Sequence, residues 1–371
     1  MQDRRHGRRW WVNLGPSAVL AVLIFVTGAC GFAGTEPNLP ETLERYEFLQ
    51  IRMGIPVNIT LYASSPAIAN QAAEAAYARF RDLDRVMSDY DPDSELMRLC
   101  RTAKVGEPIP VSEDLLEVLT SAQDLSRRTE GAFDVTVGPV VKLWRIARRR
   151  KELPEPDRLG EARKLVGYES LIVDSEQRTV TLLKAKMQLD LGAIAKGYAA
   201  DAAVRAMQEF GVTRVLVDAG GDMVAGDPPP GREYWIIEVE KLRPRDKTDQ
   251  PLPRLQIANG GVATSGDAYQ YLEIDGTRYS HIVDPSTGLG LTTPSTVTVI
   301  AKTAMQADAL ASAISVLSKR ADIQNLCTDH DAQSLKVTLQ GDQIAEEATP
   351  GFAKYWVESQ QRNVESDAMA K

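Results

Sequence analysis

The chain has 371 residues, of which 43% are hydrophobic and 25% charged. That is ordinary globular composition, with enough length to bury a large core in one or two domains. A formal net charge of −8 argues against the basic footprint of a non-specific nucleic-acid binder. Three cysteines without a CxxC or a Cys/His cluster argue against a zinc centre.

The N-terminus departs from this composition. Arg4, Arg5, Arg8 and Arg9 precede an almost wholly apolar run at 14–26, and small residues follow up to Ala29-Cys30-Gly31. This is the charged, apolar, small-residue order of a secretory signal. The apolar run is short for a membrane span, which takes about 20 residues. We expect residues 1–29 to be a signal peptide of lipoprotein type, with Cys30 the lipidated residue and the body on the extracytoplasmic side of a bacterial membrane. Thr27-Gly28-Ala29 matches such a site loosely, and Arg8-Arg9 before Trp10-Trp11 resembles a degenerate twin-arginine signal. A soluble cleaved form and an uncleaved anchor therefore stay open. Residues 30–48 read as a polar tether, 49–355 as the folded domain and 356–371 as a polar tail.

Within the domain, 57–63 alternates as a strand and 67–87 is Ala-rich at helical spacing. Ser112 opens a second helix, with Glu113 and Asp114 where the positive end of the helix dipole favours them. Residues 137–151 read as a third, its basic end Arg148-Arg149-Arg150-Lys151 as a solvated terminus. Segments 171–174 and 179–184 form one hairpin signal, 272–274 and 278–282 another. Further strands are expected at 214–218, 234–239, 255–258 and 295–301, and helices at 193–210 and 306–317. Frequent turns and irregularly placed helices point to one α+β domain of mostly antiparallel strands rather than a doubly wound parallel sheet. Neither GxGxxG nor GxxxxGK[ST] occurs.

Four segments combine Gly, small residues and acidic groups between regular elements. In DLGAIAKGY (190–198) a strand gives way to a helix, whose first N–H groups and Lys196 suit a phosphate. A plain turn capped by Asp190 fits the same residues. In ADALAS (307–312), Asp308 and Ser312 are i and i+4 on a helix, so their oxygens share a face and suit Mg²⁺. Taken alone, these residues favour the plainer reading of an Asp near a helix N-terminus, stabilised by the dipole. SHIVDPSTG (280–288) carries His281, one of three histidines and by availability the candidate general base, although a packed histidine is equally consistent. GAFDVTVGP (131–139) offers an aromatic ring, a carboxylate and a turn before a helix. TSGD (264–267) reads as a polar turn after a strand, and Gly220-Gly221-Asp222 as a tight turn.

Taken in order, these segments resemble the ApbE family, the FAD:protein FMN transferases formerly described as thiamine-biosynthesis lipoproteins. The resemblance runs from Met53-Gly54 to about Leu317 and includes Ser88-Asp89-Tyr90, Asp93-Ser94-Glu95-Leu96, GAFDVTVGP, DLGAIAKGYAAD, VDAGGD, TSGD, SHIVDPSTG and ADALASA. It implies a T-fold-related α+β architecture with FAD, the substrate, in a cleft between two halves of the domain. Met53, Tyr90, Ala132, Phe133, Asp134, Asp190, Lys196 and Val283 match positions that contact FAD, and the Ala193 carbonyl, Asp308 and Ser312 match a Mg²⁺ site. The implied reaction is phosphoryl transfer. A Thr or Ser hydroxyl of an acceptor flavoprotein, a membrane-associated redox protein, attacks the FMN phosphorus and AMP leaves. His281, oriented by Asp284, is the expected base.

Three departures stand out. Cys100 occupies a position where the family often has Asn, which puts a local contact in doubt. Ala311 cannot supply the extra carboxylate that some relatives have, and Gly290 replaces a common Pro, a change expected to matter little. Two other readings use the same residues: a periplasmic FAD pyrophosphatase with water as nucleophile, and a non-catalytic flavin-binding lipoprotein. Cys100 and Cys327 could pair.

Overall fold

A computed structural model describes residues 42–240, 242, 252–266, 271–341 and 343–357. The signal, Cys30, the first part of the tether, Asp267 and the tail from 358 onward lie outside the described residues. In chain order the elements are β1 (Glu44–Arg52), β2 (Ile55–Ala63), α1 (Pro66–Met87), α2 (Glu95–Thr102), β3 (Ile109–Pro110), α3 (Glu113–Arg128), α4 (Gly138–Arg150) and α5 (Pro156–Arg163). There follow β4 (Leu171–Asp174), β5 (Thr179–Leu182), α6 (Ala195–Gln208), β6 (Val215–Ala219), β7 (Asp222–Ala225), β8 (Trp235–Glu238), β9 (Arg254–Ile257) and β10 (Gly260–Gly266). The chain then runs through β11 (Tyr271–Ile274), β12 (Thr277–Ser280), β13 (Ser295–Ala301), α7 (Ala304–Val316), α8 (Arg320–Asp329), β14 (Gln333–Gln340) and β15 (Gln343–Ala348).

Eight strands form one sheet in the order β1-β2-β6-β7-β10-β13-β14-β15, and every pairing in it is antiparallel. The strand β13 shows why the sheet has apolar layers on both faces. All seven of its residues are buried, Val297 and Val299 toward a large core with α1, α6 and α7, Ile300 toward a second core with β8, β9 and Phe352. The helix α1 supplies the first core with Ala69, Ala72, Ala73, Ala76, Tyr77, Phe80, Leu83 and Met87, an i, i+3, i+4 stripe. Ser65 caps it and Pro66 occupies its first turn. A third core under α4 joins Val140, Trp144 and Ala147 to Leu272 and Val283.

The expected α+β class and antiparallel character are what the structure has. Both ends of the domain extend further than expected. Residues 44–48, read as tether, belong to β1, which pairs with β2 along its whole length. Its many polar residues are those of an edge strand with one face open to water. Trp356, read as tail, is buried, bridges to Leu255 and packs edge-on against Phe352 at 5.4 Å. Thr264-Ser265-Gly266, read as a turn, forms the end of β10.

The helices α6 and α7 meet unusually closely. A Cβ on Gly197 of α6 would lie 2.2 Å from the Ala304 carbonyl oxygen, and one on Gly261 of β10 would lie 2.2 Å from the Ala304 nitrogen. Only glycine permits backbone to come this near. At that junction the Asp201 carboxylate of α6 accepts from the Ala304 (3.0 Å) and Met305 (2.9 Å) N–H groups and so caps α7 from outside the helix. Burial pushes the Asp201 pKa from 3.8 up to about 6, against the opposing pull of those two bonds. Asp201→Ala should therefore lower the unfolding free energy by about 2 kcal/mol in urea melts, whereas Asp201→Asn, which keeps an acceptor and sheds the charge, should lose less. A carboxylate with a raised folded pKa loses stability as pH climbs through that value. The wild type should thus lose ground to D201N between about pH 4 and 6, with no further change above; a difference independent of pH would exclude this assignment.

Candidate active site

A cleft of about 750 Å³ is lined by the β1–β2 turn, the C-terminal end of α1, the segment before α4, α4 itself, the start of α6, the β6–β7 turn, β10, the segment after β12, and α7. The sequence-predicted residues Met53, Tyr90, Ala132, Phe133, Asp134, Asp190, Ala193, Lys196, His281, Val283, Asp308 and Ser312 all line it. Met53 sits in the β1–β2 turn with φ 48° beside Gly54 at 74°. Asp134 is buried and caps the short turn before α4, its Oδ1 accepting from Thr136 N (2.7 Å) and Oγ1 (2.6 Å). Burial nevertheless raises its pKa.

Asp190 closes the turn into α6. Its Oδ1 accepts from Gly192 N at 2.8 Å and its Oδ2 from Arg145 Nη2 at 2.9 Å. Burial and the nearby Asp89 raise the Asp190 pKa, and Arg145 opposes them. Arg145 also pairs with Asp89 and lies 4.3 Å from the centroid of the Tyr90 ring. Tyr90 is 77% exposed, so the cation backs one part of a ring that is otherwise open to the cleft. The rotation of α4 that aims Arg145 inward is set by Trp144, which is buried and donates its Nε1–H to the Gly288 carbonyl at 2.8 Å.

Across the α6–α7 junction, Lys196 Nζ lies 2.5 Å from Asp222 Oδ2 and 3.2 Å from Asp308 Oδ2. Both carboxylates are buried. Burial and Asp308 raise the Asp222 pKa to about 7, despite Lys196. Burial pulls the Lys196 ammonium down, but Asp222 and Asp308 outweigh it and hold it charged. Gly197 N–H, a first-turn donor of α6 with no intrahelical acceptor, donates to Asp308 Oδ2 at 3.3 Å. Ala193, Asp308 and, one turn along α7, Ser312 line the same cleft.

His281 reaches the cleft from the segment after β12, whereas Asp284 is absent from its lining. The Asp284 carboxylate accepts from Ser286 N (2.8 Å) and Oγ (2.7 Å), which holds the DPSTG turn. The same turn makes Gly290 matter, contrary to expectation. It bridges to Val283, and a Cβ there would lie 2.4 Å from the Ser280 carbonyl oxygen. Cys100 keeps a backbone contact where its lack of an amide put one in doubt: its Sγ accepts from Leu189 N at 3.4 Å, and burial pushes the thiol pKa up. Cys100 and Cys327 are both free thiols.

Asp222, Arg145 and Arg148 also line the cleft; Arg148, expected at a solvated helix end, is half-buried there instead. Asp222 stood in the GGD segment, where turn chemistry alone accounted for it. The signal for the arginines was their own i, i+3 spacing on α4, which puts Arg145 and Arg148 on one face beside the buried Trp144. Removing Arg145 leaves Asp89 and Asp190 facing each other without a cation. Arg145→Ala should cost about 3 kcal/mol of stability by urea unfolding, and Arg145→Lys should restore less than half, since an ammonium cannot reproduce the planar contacts.

A family model described as the ApbE family matches residues 53–335. The FAD:protein FMN transferase of Haemophilus influenzae is 34% identical over 262 residues, 69% of this chain and 75% of that relative. The enzyme of the same name from Escherichia coli is 30% identical over 279 residues, 74% of this chain and 78% of the relative. Among solved structures, the flavin transferase ApbE from Vibrio cholerae is similar with a TM-score of 0.76 at 29% identity, covering 85% of this chain and 100% of that one. The ApbE protein from Thermotoga maritima gives 0.75 at 30% identity, over 85% and 100%. With three quarters of its length matched and its architecture shared, this chain belongs to the ApbE family.

Proposed function

We propose that this chain is an enzyme that transfers FMN from FAD to a Thr or Ser hydroxyl of an acceptor flavoprotein, with AMP as leaving group and Mg²⁺ as the required ion. The observation that carries the reading is the arrangement of Lys196, Asp222 and Asp308 on the cleft wall. Two buried carboxylates against one ammonium hold an excess of negative charge when both are ionised, and burial, with Asp308 adding to it, drives Asp222 toward protonation. A hard cation relieves that excess, so these residues fit one. The Ala193 carbonyl, Asp308 and Ser312 would hold it, with water filling the remaining positions. When bound, Mg²⁺ supplies charge neutralisation at the pyrophosphate.

The chain's own groups do the rest. The exposed part of the Tyr90 ring, backed by Arg145, stacks a planar ring of FAD. His281 takes the proton of the acceptor hydroxyl as its oxygen forms the new ester bond to the FMN phosphorus and the pyrophosphate P–O bond to AMP breaks. Asp284 acts one step removed, by holding the turn that follows His281. The charged, apolar and small-residue order of the N-terminus supports export with a lipid anchor at Cys30, which would present the cleft to membrane-associated redox acceptors.

Full-length protein in detergent, mixed with FAD, Mg²⁺ and a candidate acceptor domain, should add the mass of FMN to a Thr or Ser of that domain. Free FMN and AMP without labelling would replace this reading with a pyrophosphatase, and intact FAD would leave only a binder. His281→Ala should lose at least ~100-fold in transfer rate with FAD affinity retained; full activity would remove the histidine from its role. Asp308→Asn should raise the Mg²⁺ concentration for half-maximal rate by about tenfold, and chelation should stop transfer by the wild type.

A further inference from the structure

Three Lys or Arg side chains line the cleft among the described residues: Arg145, Arg148 and Lys196. Two are already balanced. Lys196 is held between Asp222 and Asp308, and Arg145 between Asp89 and Asp190. Arg148 is different. It lies one helical turn beyond Arg145 on α4, so the two share a face. It has no carboxylate partner among the described residues.

Nor is Arg148 simply solvated. Of the basic run at the end of α4, Arg149 and Arg150 are exposed, while Arg148 is half-buried and turned into the cleft. Burial lowers its pKa; Tyr90 acts in the opposite direction, and Arg145 adds repulsion to the lowering. A partly desolvated guanidinium beside a second cation, with no anion to meet it, is an unfavourable arrangement in the ligand-free protein. It becomes favourable when a ligand brings the anion. The guanidinium fork suits phosphate oxygens better than any other side chain does.

The other cleft cations are saturated by protein carboxylates, so a dianionic pyrophosphate entering the cleft has one uncommitted guanidinium to pair with. We propose that Arg148 binds a phosphate oxygen of the FAD pyrophosphate and is the residue by which the cleft discriminates FAD from unphosphorylated flavin. This inference rests on the transferase reading for the identity of the ligand. Arg145 has a different part in it: neutralised by its two carboxylates, it backs Tyr90 and leaves the phosphate to its neighbour.

The test compares binding of FAD and riboflavin to full-length wild type, Arg148→Gln and Arg148→Lys by flavin fluorescence, with melting temperature recorded alongside. Arg148→Gln should weaken FAD by ~30-fold, the size of one charge-assisted hydrogen bond, and leave riboflavin within twofold of wild type. Arg148→Lys should recover part of the FAD affinity. Because a structural role would move both ligands alike, an equal loss for FAD and riboflavin overturns the proposal. So does FAD binding unchanged in Arg148→Gln, including the case where only the KM for the acceptor rises, which would assign Arg148 to an acidic segment of that protein. A wild type that binds neither flavin would instead remove the transferase reading itself, and this inference with it.

Discussion

The closeness of α6 to α7 is the constraint on which the rest of the site depends. Gly197 and Gly261 let two backbones approach the start of α7, and Asp201 fills the hydrogen-bonding need that the approach creates. One residue back from Gly197 is Lys196, and one turn into α7 is Asp308. Their 3.2 Å contact is a direct product of the junction. Gly197 takes part twice, since its N–H also donates to Asp308. A side chain at that position would part the helices and dismantle the cluster, although Gly197 touches no reacting group.

Much of this was legible in the sequence, and the reasons for the rest are physical. The strand β13 was read with its observed bounds because seven β-forming residues stand between turn signals. The helix α1 was read to within one residue from its Ala-rich helical spacing. By contrast, β10 begins with two glycines and ends in polar residues, so local chemistry points to a turn. Gly261 answers to the backbone at the start of α7, a tertiary fact. The strand β14 has Lys336 in its middle, which breaks the apolar pattern; its Nζ is satisfied by the Ile314 and Leu317 carbonyls. Among the residues lining the cleft, Asp222 and Arg145 owe their roles to partners far away in the chain, Lys196 for the one and Asp89 and Asp190 for the other, which no local pattern shows.

The cleft owes its character to charge that is mostly cancelled in place. Arg145 with Asp89 and Asp190, and Lys196 with Asp222 and Asp308, are two three-membered networks in the cleft. Each holds more acid than base. Such networks contribute little net stability once desolvation is counted, but they fix geometry, because any one member is costly to leave alone. The ring of Tyr90 and the opening of α6 are held by one of them, and the two carboxylates facing the α7 groove by the other.

The Lys336 contacts have a further meaning for motion. The helix α7 is tied at its N-terminus by Asp201 from α6 and at its C-terminus by Lys336 from β14, whose ammonium meets the last carbonyls where the helix dipole favours a cation. Helices usually begin to open by fraying from an end, and here neither end is free to start. Amide protons along α7 can then exchange with solvent only when larger parts of the molecule open together. The wall that carries Asp308 and Ser312 is in this sense an anvil: ligands are accommodated against it, and it does not travel to meet them.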